Sequence, residues 1–214
     1  MDQPLDRRTP LLHTLLIGIA CGLAVGLGAR VARHVPPEGY WWASLGAPWF
    51  VAAFAAGALA RDRAQGALAG GLAIVAGTAG YYAVSLLDWG PRGHHYVAVM
   101  VVAWSFAGAG AGALFGWAGA VWRRKRSSGG GLPAVALVSG ALVGEALLLH
   151  RVWASPWAER VLGVELLAGL AIALVLSARH RIAGLVLTGV AACSFAAAEQ
   201  VARETLRAVG WVGA

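Results

Sequence analysis

Seven runs of apolar residues alternate with short polar interruptions along the chain: Leu11–Ala29, Ala43–Ala60, Gly66–Leu87, Val97–Trp122, Leu132–Leu149, Val161–Ala178 and Ile182–Ala198. A helix needs about 20 apolar residues to cross roughly 30 Å of hydrocarbon at about 1.5 Å per residue. The pattern predicts an all-α fold, a polytopic transmembrane bundle of six to seven helices that takes up residues 1–214 as one domain. Seven is the better count. The interruptions at Arg61–Gln65 and Arg179–Arg181 are tight enough to make the flanking helices antiparallel neighbours. Ser127–Gly131 reads as the one flexible linker, and Pro133 suits the first turn of the helix behind it. The last run can continue as a helix through Arg207, supported by the pairs Glu199/Arg203 and Glu204/Arg207. Arg7 and Arg8 ahead of the first run resemble a secretory or twin-arginine address. The residues around Gly26–Ala29 make a poor cleavage site, however, and six further runs follow, so a retained first helix is expected.

Composition narrows the class. Of 214 residues, 59% are hydrophobic and only 13% charged, with a mean hydropathy of +0.68. A soluble domain carries about 25% charged residues, and its outer shell must be largely polar. Disordered chains are polar and charged as well. Both classes are excluded, and an integral membrane protein in contact with the lipid bilayer remains. Only Lys125 of the 17 basic residues is a lysine, and nearly all of them sit between apolar runs. They are placed to orient helices rather than to track phosphates, so no nucleic-acid partner is expected. Heavy Ala, Gly and Arg usage fits a high-GC genome and a bacterial cytoplasmic membrane. Ten of the 17 Arg and Lys lie on the side of the N-terminus, the run Arg123–Arg126 contributing most. That bias puts the N-terminus in the cytoplasm and, with seven spans, the C-terminus outside.

This orientation collects the chemically diverse residues on the outer face. His34, Glu38, Tyr40, Trp41, Trp42, Asp88, Trp89, His94, His95, Tyr96, His150, Trp153, Trp157 and Glu159 all fall there, whereas the inner loops are little more than arginine. An interfacial aromatic belt explains part of this. Carboxylates inside apolar spans are a sharper signal, because a charge in hydrocarbon is costly and marks a cavity or a partner. Glu145 stands roughly 20 Å along the fifth span, Glu199 roughly 25 Å along the seventh, and Glu165 roughly 6 Å below the outer start of the sixth. All three fall in the outer third of the membrane. Glu145 and Glu165, roofed by Trp41, Trp42 and Trp153 and flanked by Glu199, Asp88 and His150, are the candidate ligand-binding set. The competing expectation is that each carboxylate snorkels or pairs with an arginine, Glu199 with Arg203 and Glu165 with Arg160 or Arg151.

Glycine placement is the second signal. Gly18, Gly22 and Gly26 form one small-residue stripe, Gly108, Gly112 and Gly116 another, and Gly66/Gly70 and Gly140/Gly144 shorter ones. Such stripes let helix backbones approach closely, for packing inside the bundle or for docking a membrane partner subunit. The histidines show no metal-ligand spacing, and Cys21 and Cys193 are isolated inside apolar runs, so no metal site or disulfide is assigned. With no nucleophile elbow, P-loop, intramembrane protease pair or quinone-site signature, neither an enzymatic activity nor a cofactor is expected.

The stretch Leu45-Gly46-Ala47-Pro48-Trp49, followed by Phe54, Gly57 and Ala58-Leu59-Ala60 and then by Gly80-Tyr81-Tyr82, resembles an uncharacterised actinobacterial family of small polytopic membrane proteins. A looser resemblance is to the substrate-binding membrane subunits of energy-coupling-factor transporters. That likeness would make Gly18, Gly22 and Gly26 a docking stripe for a coupling partner and put Tyr40, Trp41 and Trp42 on an outer ligand loop. Two functions stand at this level. One is a solute-binding or transport subunit with an outward-facing aromatic and carboxylate pocket for a small-molecule solute. The other is an accessory or scaffold subunit of a membrane complex that transports nothing.

Overall fold

The computed structural model describes residues 8–89, 93–127, 129–153, 155–177 and 180–208. Among the described residues the chain is all-helical: α1 (Arg8–Ala32), α2 (Gly39–Ala43), α3 (Ala47–Leu59), α4 (Arg63–Trp89), α5 (His94–Lys125), α6 (Leu132–His150), α7 (Pro156–Leu176) and α8 (Arg181–Ala208). Five of them, α1, α4, α5, α6 and α8, carry segments long and apolar enough to cross a membrane. These are the helices of a membrane protein. Arg7, Arg92 and Arg179, which enter the charge bias, lie outside the described residues, as do the side chains of Arg8, Asp88, Arg203 and Arg207.

Six of the seven apolar runs appear as continuous helices. Pro133 and Pro156 stand in the first turns of α6 and α7, where a missing N–H costs nothing. The Ala43–Ala60 run differs from expectation. It breaks at Ser44–Gly46, leaving the five-residue α2 and the 13-residue α3. At about 1.5 Å per residue α3 is roughly 20 Å long, two-thirds of a hydrocarbon core. Hydropathy does not register this break, because Leu45-Gly46-Ala47 is as apolar as its surroundings.

α3 is the hub of the bundle. It packs on α1, α4, α5 and α6, while α6 packs on α7 and α8. Its core is built from Ala47, Ala53, Phe54, Phe115, Ala118, Ala134, Val138 and Leu142. Phe50 stacks on Phe115 of α5 at 4.6 Å and meets Phe195 of α8 edge-on at 6.1 Å. At the far end of α3, Arg123 donates to the Ala58 carbonyl at 3.2 Å and Arg124 to the Arg61 carbonyl at 2.6 Å. The basic run thus supplies one donor to the last turn of α3, where the dipole favours cations, and one to the turn that follows it.

The glycine stripes are occupied inside the bundle. A Cβ at Gly18 would come 2.6 Å from the Ala69 carbonyl oxygen of α4, and Gly22 and Gly26 press in the same way on Ala73 and Gly77. Gly112 and Gly116 lie against Gly70 and Gly66 on another face of α4, with Gly108 against Ile74. Gly140 and Gly144 face Ala191, Ala192 and Phe195 of α8. Polar clips reinforce these seams. Thr14 donates to Gln65 at 3.1 Å between α1 and α4, and the Ser139 and Thr188 hydroxyls share a 2.8 Å bond between α6 and α8.

Candidate functional site

The break before α3 leaves the first N–H groups of a helix inside an apolar bundle, where each needs an acceptor. Glu145 supplies both. Its Oε1 accepts the Gly46 N–H at 2.7 Å and its Oε2 the Ala47 N–H at 2.5 Å. The side chain is 3% exposed. A carboxylate at a helix N-terminus also meets the positive end of the macrodipole. Deep placement of Glu145 is therefore explained by backbone, with no basic side chain required.

Glu165 of α7 is 2% exposed, and neither of its carboxyl oxygens accepts a hydrogen bond among the described residues. Its carboxyl faces that of Glu145 within hydrogen-bonding range, and Glu199 of α8 acts electrostatically on both. Glu145 and Glu165 are thus neighbours, with Glu199 near enough to act on both. Among the described residues they do not form a group able to hold a metal ion. Arg160, one of the two arginines that the competing expectation pairs with Glu165, instead pairs with Glu38 at 3.9 Å and lies 4.6 Å over the Trp157 ring. Trp41 packs against Trp153 at 4.9 Å, over Leu45, Leu149 and Val161. Trp42 and His150 are exposed, and the side chain of Asp88 lies outside those described.

Beside the break lies a cavity of about 410 Å³ between α3, α4 and α5. Ser44, Leu45 and Gly46 form one wall, Trp49 and Phe50 a second, Thr78, Tyr81 and Tyr82 a third, and Trp104, Ala107 and Gly108 the fourth. Trp49 meets Tyr81 edge-on at 6.3 Å, and Tyr81 meets Tyr82 at 5.2 Å. Arg33 donates to the Tyr81 hydroxyl at 3.1 Å, and the Arg30 guanidinium lies 5.8 Å from the Tyr81 ring centre. The glutamates are not part of this lining, and neither are Trp41, Trp42, Trp153 or His150. A second cavity, of about 310 Å³, lies at the other end of the bundle among Trp122, Arg126, Gly129, Leu132 and His180.

The model of a family of unknown function, DUF6518, matches residues 5–208. The chain belongs to the DUF6518 family. No curated protein and no solved structure matches it. For this DUF6518 member, Leu45, Gly46 and Trp49 of the first stretch and Tyr81 and Tyr82 of the Gly80-Tyr81-Tyr82 triplet line the same cavity. These aromatics are neutral, so a charge within an apolar run does not mark them. The combination of Gly46 with Pro48 is the local signal that a new helix begins there, since glycine weakens a continuing helix and proline favours a first turn.

Proposed function

We propose that this DUF6518 member is a solute-binding or transport subunit of a bacterial cytoplasmic membrane, with the N-terminus inside, seven crossings and no chemical transformation of its ligand. The second crossing is the discontinuous one, made of α2, the Ser44–Gly46 break and α3. The observation that carries the proposal is the cavity of about 410 Å³ at that break. Small-molecule sites have volumes of about 300–1,000 Å³, mainly apolar and aromatic walls and a few placed polar groups. Discontinuous helices are a recurrent way of building such sites near the middle of a membrane. Faces of Trp49, Phe50, Tyr81, Tyr82 and Trp104 favour a flat or aliphatic solute. Hydroxyls of Ser44, Thr78 and the two tyrosines would orient its polar groups.

The inward-facing glycine stripes weigh against the scaffold alternative, since Gly18, Gly22 and Gly26 already seat α4. The test is a thermal-shift screen of the detergent-solubilised protein against vitamins, amines, divalent cations and neutral aromatic compounds. A ligand at 100 times its Kd stabilises the folded state by about 2.7 kcal/mol. A compound that raises the unfolding temperature in a saturable way supports the proposal. A screen in which only cations do so, through the acids and not the cavity, contradicts it.

A further inference from the structure

Glu145 and Glu165 face each other within hydrogen-bonding range, inside the bundle. An ionised carboxylate has acceptors only. Two ionised carboxylates can therefore approach but cannot bond, and in a low-dielectric interior their repulsion is strong. A shared proton converts that repulsion into a charge-assisted O–H···O bond, the stronger class of hydrogen bond.

The two ends of the pair are not equivalent. Glu145 already accepts two backbone N–H groups at a helix N-terminus, which supports a negative charge. Glu165 accepts none. Among the described residues the surroundings offer little other compensation. α2 and α3 carry no charged residue. From α8 the group acting on the pair is Glu199, another acid. On α7 itself, Glu159 is exposed and Arg160 is engaged by Glu38 and Trp157.

We propose that Glu145 and Glu165 bind one proton between them, with Glu165 as the O–H donor and Glu145 as the ionised acceptor. The pair is then a proton site that ties α6 and α7 to the start of α3. Gly46 gives the site a route to the cavity, because it donates to Glu145 on one side and lines the cavity wall on the other. Removing the proton would leave two facing negative charges and push Glu165 away from the cap.

The test is infrared difference spectroscopy of the full-length protein in lipid nanodiscs, without any solute, titrated from neutral to alkaline pH. The expected result is a deuterium-sensitive carbonyl band of a protonated carboxylic acid near neutral pH, lost on alkaline titration. It should be missing from Glu165→Gln, whose amide N–H₂ replaces the donor, and retained in Glu199→Gln. Absence of any such band from the wild-type protein near neutral pH overturns the proposal. So does a band that persists unchanged in Glu165→Gln or disappears only in Glu199→Gln. The wild-type titration decides even if a variant fails to fold, and because no solute is present, its outcome is separate from that of the cavity.

Discussion

Gly46 donates its backbone N–H to Oε1 of Glu145 across 2.7 Å, joining the start of α3 to the C-terminal half of α6, 99 positions further along the chain. That bond, with its companion from Ala47, is what allows a helix to begin inside an apolar bundle. It also holds the Ser44–Gly46 wall of the cavity in place.

The first prediction follows directly. Glu145→Gln replaces one of two acceptor oxygens by an N–H₂ donor, so one of the Gly46 and Ala47 N–H groups loses its acceptor and meets another donor. An unsatisfied buried donor costs about 1–3 kcal/mol. Thermal unfolding in detergent should show Glu145→Gln clearly less stable than wild type, and Glu145→Ala less stable still. Wild-type stability in both variants would mean that the α3 start does not depend on Glu145.

Much of the fold was legible in the chain, for a physical reason. Spanning helices are selected by apolar length, and five of the seven runs lie in helices long and apolar enough to cross a membrane. The place of Glu145 inside a helix was equally legible, since it falls within the Leu132–Leu149 apolar run. Its partner was not, because backbone N–H groups are present at every residue and nothing in a side-chain pattern marks the two that lack acceptors. The same reason hid the cavity. Its wall begins at a break that hydropathy does not register, and Tyr81, Tyr82 and Trp104 look like ordinary interfacial aromatics until α3 is seen to start late.

Glycine packing gives a graded prediction. A methyl group at Gly22 or Gly116 would run into the backbone of α4, which cannot move aside. Overpacking of this kind costs about 1–3 kcal/mol, so Gly22→Ala and Gly116→Ala should each lower the unfolding temperature. Leucine at either site should prevent folding. At Gly28 a Cβ meets nothing within 4 Å, and Gly28→Ala should be neutral or stabilising, by up to about 1 kcal/mol. Equal behaviour of Gly22→Ala and Gly28→Ala would contradict the α1–α4 seam.

Topology can be read by labelling single cysteines in a background lacking Cys21 and Cys193, the half-buried and exposed free thiols of α1 and α8. A membrane-impermeant thiol reagent should reach Ser127→Cys from the cytoplasmic side and His94→Cys from the outside. The positive run Arg123–Arg126 motivates that assignment. Labelling of Ser127→Cys from the outside would invert the bundle and place the cavity toward the cytoplasm.

The most direct measurement is the affinity of the strongest stabilising solute from the thermal-shift screen for wild type and for Ala107→Trp. Ala107 lines the cavity yet is exposed and outside the core, so an indole there should fill the space without displacing a buried side chain. Binding should weaken at least tenfold, about 1.4 kcal/mol, while the unfolding temperature without solute stays near that of wild type. Undiminished affinity in a normally folded Ala107→Trp protein would show that the solute sits elsewhere and would contradict the account.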